Sequence, residues 1–225
     1  MARAAYVVVE GLIGVGKTTL AERLADALGG RLVRERFADN PFLPRFYADR
    51  RAHALSTQLF FLMDRYRQQE ALAQPDLFSP VTVADYLFDK DRIFAELTLA
   101  PPEWGIYERL FRALAPAAPR PDLVVRLVAS VDETLGRIAR RGRGFERGFD
   151  RAYLAALAEG YDAFFAAYRD APVVEVDTSG VDLRTDEALF EPICAAARDV
   201  PTAGLRLGPT SPGSRPASGR LPGLG

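Results

Sequence analysis

The chain has 225 residues, 48% hydrophobic and 26% charged, enough to bury one substantial core and too apolar to be disordered throughout. Lys plus Arg numbers 29 against 30 for Asp plus Glu, so no net charge draws the chain to a nucleic-acid polymer or a membrane surface, and any anion site must be local. A single cysteine, Cys194, excludes an internal disulfide framework and a cysteine zinc site, and it is expected to pack in the core of a protein kept in a reducing compartment.

The first apolar run, Tyr6 to Val9, is too short for a signal peptide or a membrane span and reads as a buried strand. A cytoplasmic protein is expected. Further candidate strands are Arg31 to Val33, Val81 to Ala84, Leu123 to Val128 and Val173 to Val176. Between them, helical patterns cover Lys17 to Leu28, Pro44 to Ala73, Arg92 to Ala115, Val131 to Arg141 and Arg151 to Arg169. Strands alternating with helices predict an α/β fold: a five-stranded parallel sheet with helices on both faces, in one domain over residues 1–200. From Pro201 to Gly225 there are five Pro, six Gly and three Arg with no Asp or Glu, a composition that predicts a disordered tail.

The first strand runs into Gly11-Leu-Ile-Gly14-Val-Gly16-Lys17-Thr18, followed by Thr19 and a helix. A glycine-rich loop between a strand and a helix turns successive main-chain N–H groups toward phosphate oxygens, and the helix N-terminus adds positive potential. Gly11, Gly14, Gly16, Lys17, Thr18 and Thr19 are thus expected to hold ATP, with Lys17 on its terminal phosphates and the Thr18 hydroxyl on its magnesium ion. No Asn-Lys-x-Asp guanine-reading motif is present and the chain is short for a motor. A compact P-loop kinase remains.

Such an enzyme needs a carboxylate near the acceptor oxygen and cations around the moving phosphoryl group. Glu35 follows the second strand, and Asp85 ends the third, where the carboxyl ends of parallel strands share one crevice. Asp85 is also placed to hold the magnesium shell. The run Gly136-Arg-Ile-Ala-Arg-Arg141-Gly-Arg143-Gly-Phe-Glu146-Arg147 suits a lid closing over phosphates. On the long helical stretch, Gln58 and Arg65 lie seven residues apart, two turns along one face, with Tyr47 upstream; a glutamine amide offers the donor and acceptor a nucleobase edge requires. His53, the single histidine, is expected on a helix face rather than in catalysis.

In the order and spacing of these motifs the sequence resembles the deoxyribonucleoside kinases, in particular the bacterial deoxyguanosine and deoxyadenosine kinase branch. The residues carrying the resemblance, between Val7 and Asp177, are the P-loop; Glu35 with Asn40-Pro-Phe-Leu43 and Phe46-Tyr47; Gln58-Leu-Phe-Phe-Leu-Met-Asp-Arg65; Asp85-Tyr-Leu-Phe-Asp-Lys-Asp-Arg-Ile-Phe-Ala95; and Arg141-Gly-Arg143. The resemblance implies that Glu35 orients and deprotonates a sugar 5′-hydroxyl, that Tyr47 and Glu146 bind the 3′-hydroxyl, that Gln58 and Arg65 read the base, and that Arg141 and Arg143 contact the donor phosphates. It also implies ATP and magnesium, a purine deoxyribonucleoside acceptor and a homodimer formed through long helices. Animal members follow the third strand with an acid, an arginine and a serine, whereas this chain has Asp85-Tyr86 and is one residue shorter before Ile93-Phe94. Only the acid is carried over, to Asp85; Lys90 and Arg92 both stand as replacements for the arginine, and Asp89 and Asp91 both stand as the acid that helps read the base.

Two rivals share the P-loop. A thymidylate kinase phosphorylates a monophosphate and needs cations at that second phosphate, for which Arg36 and Arg45 are available. A nucleotide-binding scaffold without turnover would have no use for Glu35, Lys17 and the lid arginines together.

Overall fold

The computed structural model describes residues 5–72, 80–115, 118–142, 150–202 and 204–208. Six strands form one sheet in the order β2-β3-β1-β4-β5-β6, every pair parallel. They are β1 (Tyr6–Gly11), β2 (Arg31–Val33), β3 (Thr82–Ala84), β4 (Leu123–Val128), β5 (Val173–Asp177) and β6 (Leu205–Leu207). The central strands β1 and β4 are nearly continuous apolar runs because both their faces are covered. On one face, Val7, Val9, Leu123 and Val125 pack with α1 (Lys17–Leu28) and α8 (Glu187–Arg198). On the other, Val8 and Val124 pack with α4 (Lys90–Thr98), α6 (Val131–Arg141) and α7 (Arg151–Ala167). Smaller clusters join α2 (Leu43–Ala48), α3 (Arg50–Leu72) and α5 (Pro101–Leu114) outside the α4 edge.

The expected α/β architecture is present, with four differences from the sequence reading. The stretch 44–73 is two helices broken at Asp49, whose backbone is extended and whose Oδ1 accepts from Ala52 N at 3.1 Å to start the second. The stretch 92–115 is likewise α4 and α5, parted at Leu99 and Ala100 because Pro101 pushes the residue before it out of the helical region. The sheet has six strands rather than five, and α8 was not anticipated.

The sixth strand corrects the boundary set at residue 200. Within the segment read as tail, Leu205 and Leu207 pack against the sheet while Arg206 extends a ladder of charges across three strands: Arg126 donates to Glu175 at 2.9 Å, and Glu175 meets Arg206 at 2.7 Å. Composition averaged over twenty-five residues hid a three-residue alternation of apolar and charged side chains. Residues 209–225 lie outside the described residues.

Candidate active site

A cleft of about 1000 Å³ opens at the carboxyl ends of the central strands, the place where parallel sheets bind ligands. Its donor end is the P-loop. Gly11, Gly14 and Gly16 all have positive φ, and at Gly11 (φ 149°) a Cβ would lie 2.3 Å from the Leu127 carbonyl oxygen. Only glycine allows β1 to turn there with the neighbouring strand so close. Lys17 Nζ donates to the carbonyls of Gly11 (2.7 Å) and Leu12 (3.1 Å), holding the side chain back along the loop. Burial, and then the like charge of Lys90, pull its pKa down to about 8.

Below the loop lies a fully buried acid that motif reading passed over. Glu10 accepts from Gly11 N (2.8 Å), Leu87 N (2.6 Å) and the Tyr161 hydroxyl (3.1 Å). It therefore ties the P-loop to the segment after β3 that carries Asp85 and Lys90. An acid ending an otherwise apolar buried strand was the available signal. Arg137 performs a similar service on the lid side, donating to Val15 O (2.8 Å) and Thr178 O (2.5 Å) and pairing with Glu133 (2.7 Å). These bonds press the 178–184 loop against the P-loop and close the cleft beyond it.

Between the donor end and the α3 wall stands Glu35. Lys90 Nζ is 2.7 Å from its Oε2, and Arg65 donates through Nε to Oε1 at 3.1 Å and also pairs through Nη2. Burial alone would raise the pKa of this carboxyl; the charges of Lys90 and Arg65 outweigh it and hold the group well below the usual carboxylate range. Arg65 in turn pairs with the fully buried Asp91 through Nη1. Asp85 joins this network to the P-loop: its Oδ2 accepts from the Thr18 hydroxyl at 2.6 Å and its Oδ1 from Glu35 N at 2.7 Å.

The two choices left open by the sequence separate here. Lys90, four residues past Tyr86 at the start of α4, is buried and faces Glu35; Arg92 is exposed, near Glu108 at 3.3 Å and over the Trp104 ring. Tyr86 itself is fully buried and its hydroxyl accepts from Gln69. Asp91 meets Arg65, whereas the carboxyl of Asp89 is raised by burial and by Asp170, away from the cleft lining.

Gln58, Tyr47 and Phe61 line the far wall with Arg65. Thr19 lines the donor end, and Arg140 and Arg141, at the end of α6, reach the same cleft. Arg143 and Glu146 lie outside the described residues. Arg36 and Arg45 are exposed and do not line the cleft. Among the described residues no group of three or more His, Cys, Asp or Glu side chains could cage a metal ion. Thr18 and Asp85, a hydroxyl and a carboxylate side by side, fit an ion brought in by a nucleotide rather than a resident one.

The sequence profile described as "Deoxynucleoside kinase" matches residues 7–200. A deoxyguanosine kinase of Bacillus subtilis is 34% identical over 206 residues, spanning 89% of this chain and 99% of that protein. A deoxyadenosine kinase of Lactobacillus acidophilus is 30% identical, over 80% of this chain and 88% of its own. Among solved structures, the deoxyadenosine kinase from M. mycoides with bound dATP superposes with a TM-score of 0.74 at 21% identity, covering 84% of this chain and 99% of that one. At that identity the likeness speaks for the fold.

Proposed function

This chain belongs to the deoxynucleoside kinase family, and from that premise we propose that it transfers the γ-phosphoryl group of ATP to the 5′-hydroxyl of a purine deoxyribonucleoside, deoxyguanosine or deoxyadenosine, in nucleotide salvage. The observation that carries the reading is one carboxylate, Glu35, held between Lys90 and Arg65 in the cleft that the P-loop also lines. Relatives named deoxyguanosine kinase and deoxyadenosine kinase support the purine.

In this reading the nucleoside lies with its base toward Gln58 and Arg65, its 3′-hydroxyl between Tyr47 and Glu146, and its 5′-hydroxyl at Glu35. The hydroxyl oxygen attacks the γ-phosphorus in line with the departing ADP, and its proton passes to the Glu35 carboxylate. A carboxylate with so low a pKa is a weak base, yet phosphoryl transfer through a loose transition state asks little of the base until the new bond forms. Orientation is then the larger service, and two cations locking both Glu35 oxygens provide it. Lys17, Arg141 and Arg143 bind the charge on the phosphates. Magnesium arriving with ATP would supply charge neutralisation at the phosphates, with Thr18 and Asp85 as the residues that would hold it.

The chain works in the cytoplasm as a homodimer in this proposal. No helix among the described residues is long and apolar enough to cross a membrane. The exposed apolar side chains Met63, Leu97, Ile106 and Leu110, on α3, α4 and α5, offer a self-association face. That neither Arg36 nor Arg45 lines the cleft weighs against a monophosphate acceptor. Initial rates with the four deoxyribonucleosides and with thymidylate at fixed ATP test the reading. The purine nucleosides are expected to turn over fastest, and a monophosphate outpacing every nucleoside overturns it.

A further inference from the structure

Gln58 is almost completely buried on α3 and lines the cleft, and its two amide ends are treated differently. Its Nε2 donates to Thr98 Oγ1 at 3.2 Å, while its Oε1 has no hydrogen-bond partner. Oxygen and nitrogen of an amide are interchangeable in shape, so the orientation needs a chemical reason. Thr98, the last residue of α4, supplies it. Its hydroxyl donates its single hydrogen to Phe94 O at 2.7 Å, one turn back along the same helix. With that hydrogen committed, Thr98 Oγ1 can only accept, so the Gln58 nitrogen must face it and the carbonyl oxygen must be left over. A buried carbonyl oxygen without a donor is costly, and a ligand that brings an N–H to it relieves the cost.

The two purines differ in polarity at the positions such an oxygen can meet. At position 6 adenine presents an amino donor and guanine a carbonyl acceptor; at N1 guanine carries a donor hydrogen and adenine an acceptor lone pair. Whichever position meets that oxygen, an amide fixed with its nitrogen on Thr98 accepts one purine there and repels the other. An amide free to turn over would serve both.

We infer that Thr98 is a specificity-determining positioning residue, which holds the Gln58 amide with its nitrogen on Thr98 and its oxygen left for a ligand donor, and so makes the acceptor site discriminate between guanine and adenine nucleosides. Thr98 does not line the cleft, and the effect on the base runs through Gln58. The inference rests on the purine nucleoside reading above.

The test is initial-rate kinetics of wild type, Thr98→Val and Thr98→Ser with deoxyguanosine and deoxyadenosine at saturating ATP. Valine has threonine's shape without its hydroxyl, and serine keeps the hydroxyl. In Thr98→Val the preferred purine is expected to lose about tenfold in kcat/KM, chiefly through KM with kcat within about twofold, while the other purine changes by less than about threefold. The preference therefore narrows by several-fold. Thr98→Ser is expected to keep the wild-type preference within about twofold, and Thr98→Val to have no further effect on preference in a Gln58→Ala background. An equal loss with both purines, an unchanged preference in Thr98→Val, or a preference lost in Thr98→Ser overturns the inference. A wild-type enzyme that phosphorylates neither purine nucleoside overturns the proposed function itself, a result read before any variant is compared.

Discussion

At the donor end of the cleft the lining residues of the P-loop fall in one unbroken run, Ile13 to Thr19, with Lys17 its single charged side chain. At the acceptor end Glu35, Arg65, Lys90 and Asp91 come from the loop after β2, from α3 and from the first turn of α4, and bind one another as alternating charges. The first arrangement is geometry fixed by glycine, with Lys17 as its one charge taken out of water. The second is a buried ion network, in which each charge is tolerable because its neighbours are present. Loss of one member at the donor end should weaken a ligand; loss of one member at the acceptor end should alter the protonation and placement of the rest.

The largest effect expected from that contrast is at Glu35. Glu35→Gln keeps the shape but removes the proposed proton acceptor and leaves Lys90 and Arg65 facing a neutral amide. A loss of roughly 10²–10⁴ in kcat is expected, with ATP affinity nearly unchanged. Single-turnover rates and equilibrium ATP binding measure the two separately; survival of kcat within a few-fold would break the division between the two ends.

A smaller and more diagnostic change is Lys90→Met. In the proposed mechanism Glu35 acts as a carboxylate, and its pKa is held low by Lys90 and Arg65 against the opposing effect of burial. Removing one cation lets burial reassert itself, so the pKa rises and activity is lost at a higher pH as the solution is acidified. A fall of roughly 10² in kcat is expected, with the acid limb of the kcat/KM profile shifted upward. Lys90→Arg should restore much of the rate and return the limb toward its wild-type position. A variant whose rate drops with an unmoved acid limb would mean that Lys90 does not set the protonation of Glu35.

The same contrast decides what the sequence could reveal. The P-loop is legible because its chemistry depends on neighbours in the chain, and glycines at fixed offsets have one reading between a strand and a helix. Glu35 and Asp85 were reachable from strand ends. Which of Lys90 and Arg92 faces Glu35, and which of Asp89 and Asp91 meets Arg65, depends on how α4 sits against α3. Spacing alone does not contain that contact. Thr98 carried no signal, because a threonine ending a helix has meaning only once Gln58 is seen opposite it. Glu10 broke the apolar pattern of β1 and could have been found that way. The β6 strand was hidden by the composition of the segment around it, and the helix breaks at Asp49 and Ala100 lay inside patterns that looked continuous.

The smallest effect expected lies at the donor end, in the pH dependence of ATP binding. Lys17 is held against the Gly11 and Leu12 carbonyls, and its pKa lies at about 8 because burial and the charge of Lys90 disfavour the ammonium. Phosphate oxygens favour the ammonium, so the pKa rises when ATP binds. Above pH 8 the free protein has lost the proton that the complex requires, and binding must recover it from solution. ATP affinity should therefore be flat below that pH and fall as pH rises through it, by at most about tenfold per pH unit. Calorimetric titrations in buffers of different ionisation enthalpy would show proton uptake rising toward one per ATP over the same range. Lys17→Arg, whose guanidinium stays charged throughout, should flatten the affinity profile whatever it does to turnover. A wild-type affinity that stays level through pH 9.5 would mean that Lys17 keeps its proton, and that the donor end, unlike the acceptor end, is too well solvated for one buried charge to depend on another.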